Sequence, residues 1–158
     1  MTIQVGDQLP NVELRIMGEK GPEPVQTGDL FKGKKVVLFA LPGAFTPGCT
    51  MTHLPGYVVN ADKIKAKGVD SIICLSVNDA FVMDAWGKSQ NAEAIIMLAD
   101  GIGAFTSAVG LELDLTDIQF GKRSKRYAMI INDGKLELLN IDEKGVDLSS
   151  AETLLAAL

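Results

Sequence analysis

Two cysteines, one histidine and one tryptophan are all that a chain of 158 residues contains of these types. Two thiols are too few for the disulfide framework of a small secreted protein, and they point to a reducing compartment. Lysine and arginine number 15 against 20 aspartates and glutamates, a net charge of -5, so the basic face that a nucleic-acid partner requires is missing. No run of about 18 uncharged apolar residues occurs, and no membrane span is expected. The opening MTIQVGDQLP has no basic stretch followed by an apolar one, so no secretory signal is expected. There is no C-x-x-C for dithiol exchange. Nor is there a G-x-x-x-x-G-K-[ST], or a G-x-G-x-x-G after a strand, to cradle phosphates. Repeats, low-complexity tracts and linkers are also absent. These absences leave a cytoplasmic protein, a single domain over residues 1–158, with no cofactor implied.

What is present is a core. Hydrophobic side chains make up 47% of the chain, and a chain this long buries about 68–70% of its unfolded surface. Val36–Ala40 and Ser71–Val77 are continuous apolar runs that suit strands covered on both faces. Ile95–Leu98 reads as a third such strand. Between them the pattern is helical over about Pro47–Lys67, with a kink or break expected at Pro55-Gly56 and a stop at Gly68. A helix is expected at Ala80–Lys88, and Thr106–Val109 gives at most a short one. Asn132-Asp133-Gly134 is a hairpin turn joining Arg126–Ile131 to Lys135–Ile141. Ser149 or Ser150 then caps a last helix running to Leu158. Near the N-terminus, Asn11–Met17 and Val25–Thr27 read as a hairpin with a long loop around Gly18–Pro24. Right-handed crossovers with a closing antiparallel hairpin give a central mixed sheet flanked by helices, an order that resembles a thioredoxin-like fold.

The chemistry gathers where the first buried strand hands over to a helix, in Pro42-Gly43-Ala44-Phe45-Thr46-Pro47-Gly48-Cys49-Thr50. Ligands collect beyond the carboxyl ends of strands in open α/β sheets. With Thr46 as N-cap, Pro47 takes the first helical position, where its missing N–H costs nothing. Cys49 falls at the third position. The unpaired N–H groups of the first turn and the positive end of the helix dipole there favour thiolate over thiol. Burial as a small hydrophobe is the common fate of a free cysteine, and the Thr-Pro-Gly lead-in argues for a reactive one instead.

Pro42, Thr46 and Cys49 match the P-x-x-x-[ST]-x-x-C motif of the peroxiredoxins, and PGAFTPGCTMTHLPG resembles the type-II, or peroxiredoxin-five, subfamily. The likeness continues through GVDSIICLSVNDAFVMDAW, LADGIGAFTSAVGLELDL and KRSKRYAMIINDG, nearly the whole chain. Gly48 departs from relatives that carry a larger residue there. The resemblance implies a thiol-dependent peroxidase acting on hydrogen peroxide and organic hydroperoxides. Cys49 would become a sulfenic acid, and glutaredoxin with glutathione, or thioredoxin, would regenerate it. It implies that Arg126 holds the thiolate and the developing charge, that the Thr46 hydroxyl and the Cys49 N–H align the peroxide, and that Pro42 shields the sulfur. It also implies a homodimer formed near Phe45.

Several residues carry two readings. Lys122, Arg123 and Lys125 beside Arg126 read as a solvated basic face. His53, four residues after Cys49, is either plain packing or an orienter of the site. A zinc site needs more ligands than Cys49 and His53 supply, and an i, i+4 pair is an unusual geometry for a Cys-His hydrolase. Cys74, in the apolar strand, is either core filler or a resolving thiol, and a bridge would require Cα atoms within about 7 Å. Trp86, Phe45 and Phe81 are candidates for an apolar patch, with Phe81 expected in the core. A non-enzymatic peroxide sensor or holdase is the alternative to an enzyme.

Overall fold

The computed structural model describes all residues, Met1–Leu158. Nine strands form: β1 Glu13–Gly18, β2 Gly21–Gln26, β3 Lys35–Ala40, β4 Ser71–Ser76, β5 Ile96–Ala99, β6 Glu112–Leu115, β7 Gly121–Ser124, β8 Arg126–Asn132 and β9 Lys135–Asp142. Seven of them make one mixed sheet in the order β2-β1-β5-β4-β3-β8-β9. β3, β4 and β5 run parallel, while β8 and β9 extend the sheet antiparallel from β3. The helices are α1 Thr27–Phe31, α2 Leu54–Ala66, α3 Ala80–Ser89, α4 Ala104–Ala108 and α5 Ala151–Ala157.

The two-residue period of the strands sorts the core into two layers. Val37, Phe39, Ile72 and Cys74 point to one face and are covered by Leu54, Tyr57 and Ile64 of α2, Met83 and Trp86 of α3, and Leu154 of α5. Val36, Leu38, Ile73 and Leu75 point to the other face, under Phe31 of α1 and Phe105 of α4. Full burial of such side chains contributes roughly 1.5–3 kcal/mol each. The expected thioredoxin-like arrangement, a central mixed sheet flanked by helices with an N-terminal hairpin, is therefore the one observed.

Four local readings differ. The N-terminal hairpin has no long loop: Gly18 pairs with Gly21, and β2 takes in Pro22 and Pro24. β2 is the outer edge of the sheet, where a residue without an N–H costs no ladder bond. The helix after Pro47 does not break at Pro55-Gly56. A π turn over Cys49–His53 comes first, with Leu54 N donating to Cys49 O, and α2 runs through Pro55 without interruption of the helix. The widened turn is how the chain admits a proline that would otherwise clash with the carbonyl four residues back. The β6–β7 hairpin and α1 were not foreseen, being short and not periodic. Phe81 is 64% exposed rather than in the core. The β8–β9 turn follows expectation, with Asp133 and Gly134 both at positive φ (49° and 80°), as a tight I′ turn requires.

Candidate functional site

β3 ends at Ala40, and the chain crosses the top of the sheet through Leu41–Thr46. Phe45 takes a positive φ of 64°, unusual for a residue with a Cβ. Its exposed ring tilts against the buried indole of Trp86 at 6.4 Å. Helical backbone starts at Pro47, and Thr50 N donates to Thr46 O at 2.9 Å, so Thr46 holds the N-cap place in the backbone. Its hydroxyl does not cap the turn as expected. It donates to Gly43 O at 2.6 Å, closing the loop. The N–H groups of Gly48 and Cys49 precede the first intrahelical bond and have no partner within the helix.

Cys49 is buried, 1% exposed, and Arg126 Nη2 donates to its Sγ at 3.4 Å. Arg126 opens β8, and the antiparallel pairing of β8 with β3 sets it above the helix start. Its Nη1 lies 2.9 Å from His53 Nδ1. On the far side of the ring, His53 Nε2 lies 3.0 Å from Ser149 O. A carbonyl can only accept, so Nε2 carries the proton and Nδ1 accepts from the guanidinium. The neutral tautomer fits a pKa lowered to about 3, by burial first and by the Arg126 charge second. Tyr57 OH also donates to Ser149 O, at 2.7 Å. Burial pushes its phenol above the ordinary range. Phe39 stacks on Tyr57 at 3.9 Å and tilts against His53 at 5.0 Å. Arg126 forms no ion pair with any carboxylate.

The remaining candidates divide. Pro42 lines a cleft of about 180 Å³ together with Leu113, Lys125 and Arg126. Gly48 carries no strain, but a Cβ there would come within 3.1 Å of Arg126 Nη2. Cys74 on β4 is wholly buried and both cysteines are free. Burial, and secondarily Cys49, raises the Cys74 thiol well above its ordinary pKa. Arg123 is not merely a solvated cation: Nη1 donates to Pro42 O at 3.3 Å, Nε to Phe120 O at 3.0 Å, and the guanidinium stacks 5.1 Å from the Phe120 ring. Lys122 stays exposed. A cleft of about 320 Å³ between β1 and α3 contains no cysteine or histidine. No group of three potential metal ligands occurs. Nothing in the sequence signals Tyr57, and it offers Arg123 only as a solvated cation and Ser149 only as a helix cap.

The redoxin family profile matches residues 4–155. Peroxiredoxin-2D of Arabidopsis thaliana is 45% identical over 159 residues, covering 99% of this chain and 98% of that protein. The chain belongs to the redoxin family, among the peroxiredoxins. Peroxiredoxin-2C of Oryza sativa is 47% identical to this peroxiredoxin over 159 residues, with the same coverage of both chains. A solved structure of reduced Prx3 in complex with hydrogen peroxide, from Vibrio vulnificus, superposes with a TM-score of 0.96 at 55% identity, covering 99% of each chain. Membership makes this peroxiredoxin a thiol peroxidase. No helix is long and apolar enough to cross a membrane.

Proposed function

We propose that this peroxiredoxin reduces hydrogen peroxide and organic hydroperoxides at Cys49 through a sulfenic acid. The observation that carries the reading is the Arg126 guanidinium, free of any carboxylate, donating to the Cys49 sulfur at 3.4 Å. The thiolate is the nucleophile. It attacks the terminal peroxide oxygen, an S–O bond forms as the O–O bond breaks, and the leaving oxygen departs as water or alcohol after taking a proton. Arg126 stabilises the charge that develops on that oxygen. Thr46, whose proton is engaged by Gly43 O, offers a lone pair to the peroxide O–H, and the Cys49 N–H donates to the other oxygen. Pro42 shields the sulfur from water, and Arg123 braces the Pro42 carbonyl. His53 orients Arg126 by accepting from Nη1.

Regeneration follows by attack of an external thiol on the sulfenic acid sulfur, releasing water and leaving a mixed disulfide that a second thiol reduces. Glutaredoxin with glutathione is the reductant the geometry favours, because Cys74 is sealed in the core; thioredoxin is the second. Intact mass after one peroxide equivalent tests the cycle: one added oxygen supports it, and the loss of two hydrogens assigns Cys74 the resolving role. Steady-state peroxide consumption with each reductant then separates enzyme from sensor, since a sensor oxidises once and stalls. The exposed Phe45 ring beside the site favours a homodimer, measurable by sedimentation. A cytoplasmic location accords with two free thiols, although one relative at 45% identity is a chloroplastic peroxiredoxin of Arabidopsis thaliana.

A further inference from the structure

Asp142 is the last residue of β9 and stands directly across from Arg126 in the β8–β9 ladder. The two line one cleft, yet they form no ion pair. The carboxylate is committed elsewhere. Oδ2 accepts from Asp147 N at 3.0 Å, Ser149 N at 2.9 Å and Ser149 Oγ at 2.6 Å, and Oδ1 accepts from Leu148 N at 3.0 Å. Four donors from one short loop therefore converge on a single side chain. These same bonds hold the Asp142 carboxyl below the ordinary carboxylate range against the opposing effect of its burial.

The consequence lies one peptide further on. Fixing Ser149 N and Oγ fixes the Ser149 carbonyl, which receives both His53 Nε2 and Tyr57 OH. That carbonyl selects the His53 tautomer, the tautomer makes Nδ1 an acceptor, and the acceptor engages Arg126 Nη1. Only then is Nη2 left to donate to Cys49. We infer that Asp142 is a positioning residue for the peroxidase reaction: through the Ser149 carbonyl and His53 it aims the Arg126 guanidinium at the Cys49 sulfur. This rests on the assignment of Cys49 as nucleophile. Ordinary packing does not account for the arrangement, because a carboxylate placed opposite an arginine pairs with it unless stronger donors hold it away.

The test is Asp142→Asn. An amide accepts through one oxygen and turns an NH₂ toward the loop N–H groups, so the loop shifts and the Ser149 carbonyl moves with it. The second-order rate of Cys49 with hydrogen peroxide is expected to fall roughly tenfold, the scale on which outer partners of a reactive group act. Because His53 is the only histidine, a long-range ¹⁵N–¹H spectrum reads its tautomer without assignment. The wild type should be Nε2-protonated and neutral at pH 6, and Asp142→Asn should lose that signature. If Asp142 served only as a competing anion, the substitution would raise the rate. An unchanged or raised rate overturns the inference, and so does a lowered rate with an unaltered His53 spectrum. Should Asp142→Asn not fold, Ser149→Ala removes only the 2.6 Å bond and must give a smaller loss in the same direction with the same spectral change. Iodoacetamide alkylation of Cys49 reports on the aim of Arg126 independently of peroxide. A wild type that alkylates quickly yet consumes no peroxide would count against the proposed function; slower alkylation in Asp142→Asn would then still support the aiming of Arg126 by Asp142, and unchanged alkylation would overturn it.

Discussion

Replacing Arg126 by methionine keeps the apolar stem of the side chain and removes its fork of donors. Two bonds vanish, one to Cys49 Sγ and one to His53 Nδ1. Losing a preorganised donor to developing negative charge costs about 2.7–4 kcal/mol in the transition state, a fall of roughly 10²–10³ in rate. The other loss bears on the fold: His53 Nδ1 is left buried without a donor, at about 1–3 kcal/mol. At about 2–4 °C per kcal/mol for a chain of this size, Tm should drop measurably, so the rate must be read well below it. Stopped-flow mixing with hydrogen peroxide suits the measurement, followed by the fluorescence of Trp86, whose indole N–H bonds Thr50 Oγ1 in the π turn at 3.1 Å. Lysine at 126 keeps the charge but cannot reach both partners with a rigid fork, so its rate should lie between the two. Lys122→Met, at an exposed position of β7, is the control and should react at the wild-type rate. Equal losses from Arg126→Met and Lys122→Met would refute the argument that a single aimed guanidinium, rather than a general basic field, serves the sulfur.

Other outcomes follow from the same geometry. In the folded protein, iodoacetamide should modify Cys49 and leave Cys74 untouched, because Cys74 is fully buried and its thiol is pushed up; equal labelling would contradict this. The unfolded chain takes up a proton at His53 near pH 6.5, whereas the folded chain resists until about 3. Stability present above pH 6.5 is therefore lost as pH falls, by about 2–3 kcal/mol at pH 4.5. Urea midpoints at pH 7.5 and 4.5 should show this loss in the wild type and not in His53→Gln, and an equal loss in both would refute it. Asp100, wholly buried, accepts from Phe105 N, Thr106 N and Thr106 Oγ1. Asp100→Ala should cost about 3 kcal/mol and lower Tm by roughly 6–12 °C, with the peroxide rate unchanged because it anchors α4 on the opposite sheet face. A slowed peroxide reaction in a folded Asp100→Ala variant would refute that separation.

The order of buried strands and the helix start that carries Cys49 were legible because each is written in adjacent residues. Continuous β-branched runs have no stable place other than a sheet covered on both faces, so Val36–Ala40 and Ser71–Val77 announced themselves. Thr46-Pro47-Gly48-Cys49 likewise specifies a helix start by local sterics, and Asn132-Asp133-Gly134 a tight turn by its tolerance of positive φ. Readings failed where a neighbour outside the segment decided the outcome. Pro22 and Pro24 sit in a strand only because that strand is an outer edge, and Pro55 breaks nothing because a π turn widens ahead of it. Arg123 was set aside as solvated because nothing local shows that Pro42, 81 residues back, supplies its acceptor.

A short local string sets the Cys49 sulfur at a helix start in this protein: backbone amides there need nothing more than the right few residues in order. What surrounds that sulfur is settled by long-range contacts. Arg126 lies 77 residues from Cys49, and Ser149 lies 96 from His53, and no periodicity encodes such separations. Only the antiparallel docking of β8 on β3 and the loop gathered by Asp142 bring a donor, a neutral ring and a carbonyl into one line. Hydrogen bonds act over about 3 Å, so adjacent residues set Cys49 at the helix start, and only the folded chain brings the Arg126 guanidinium to its sulfur.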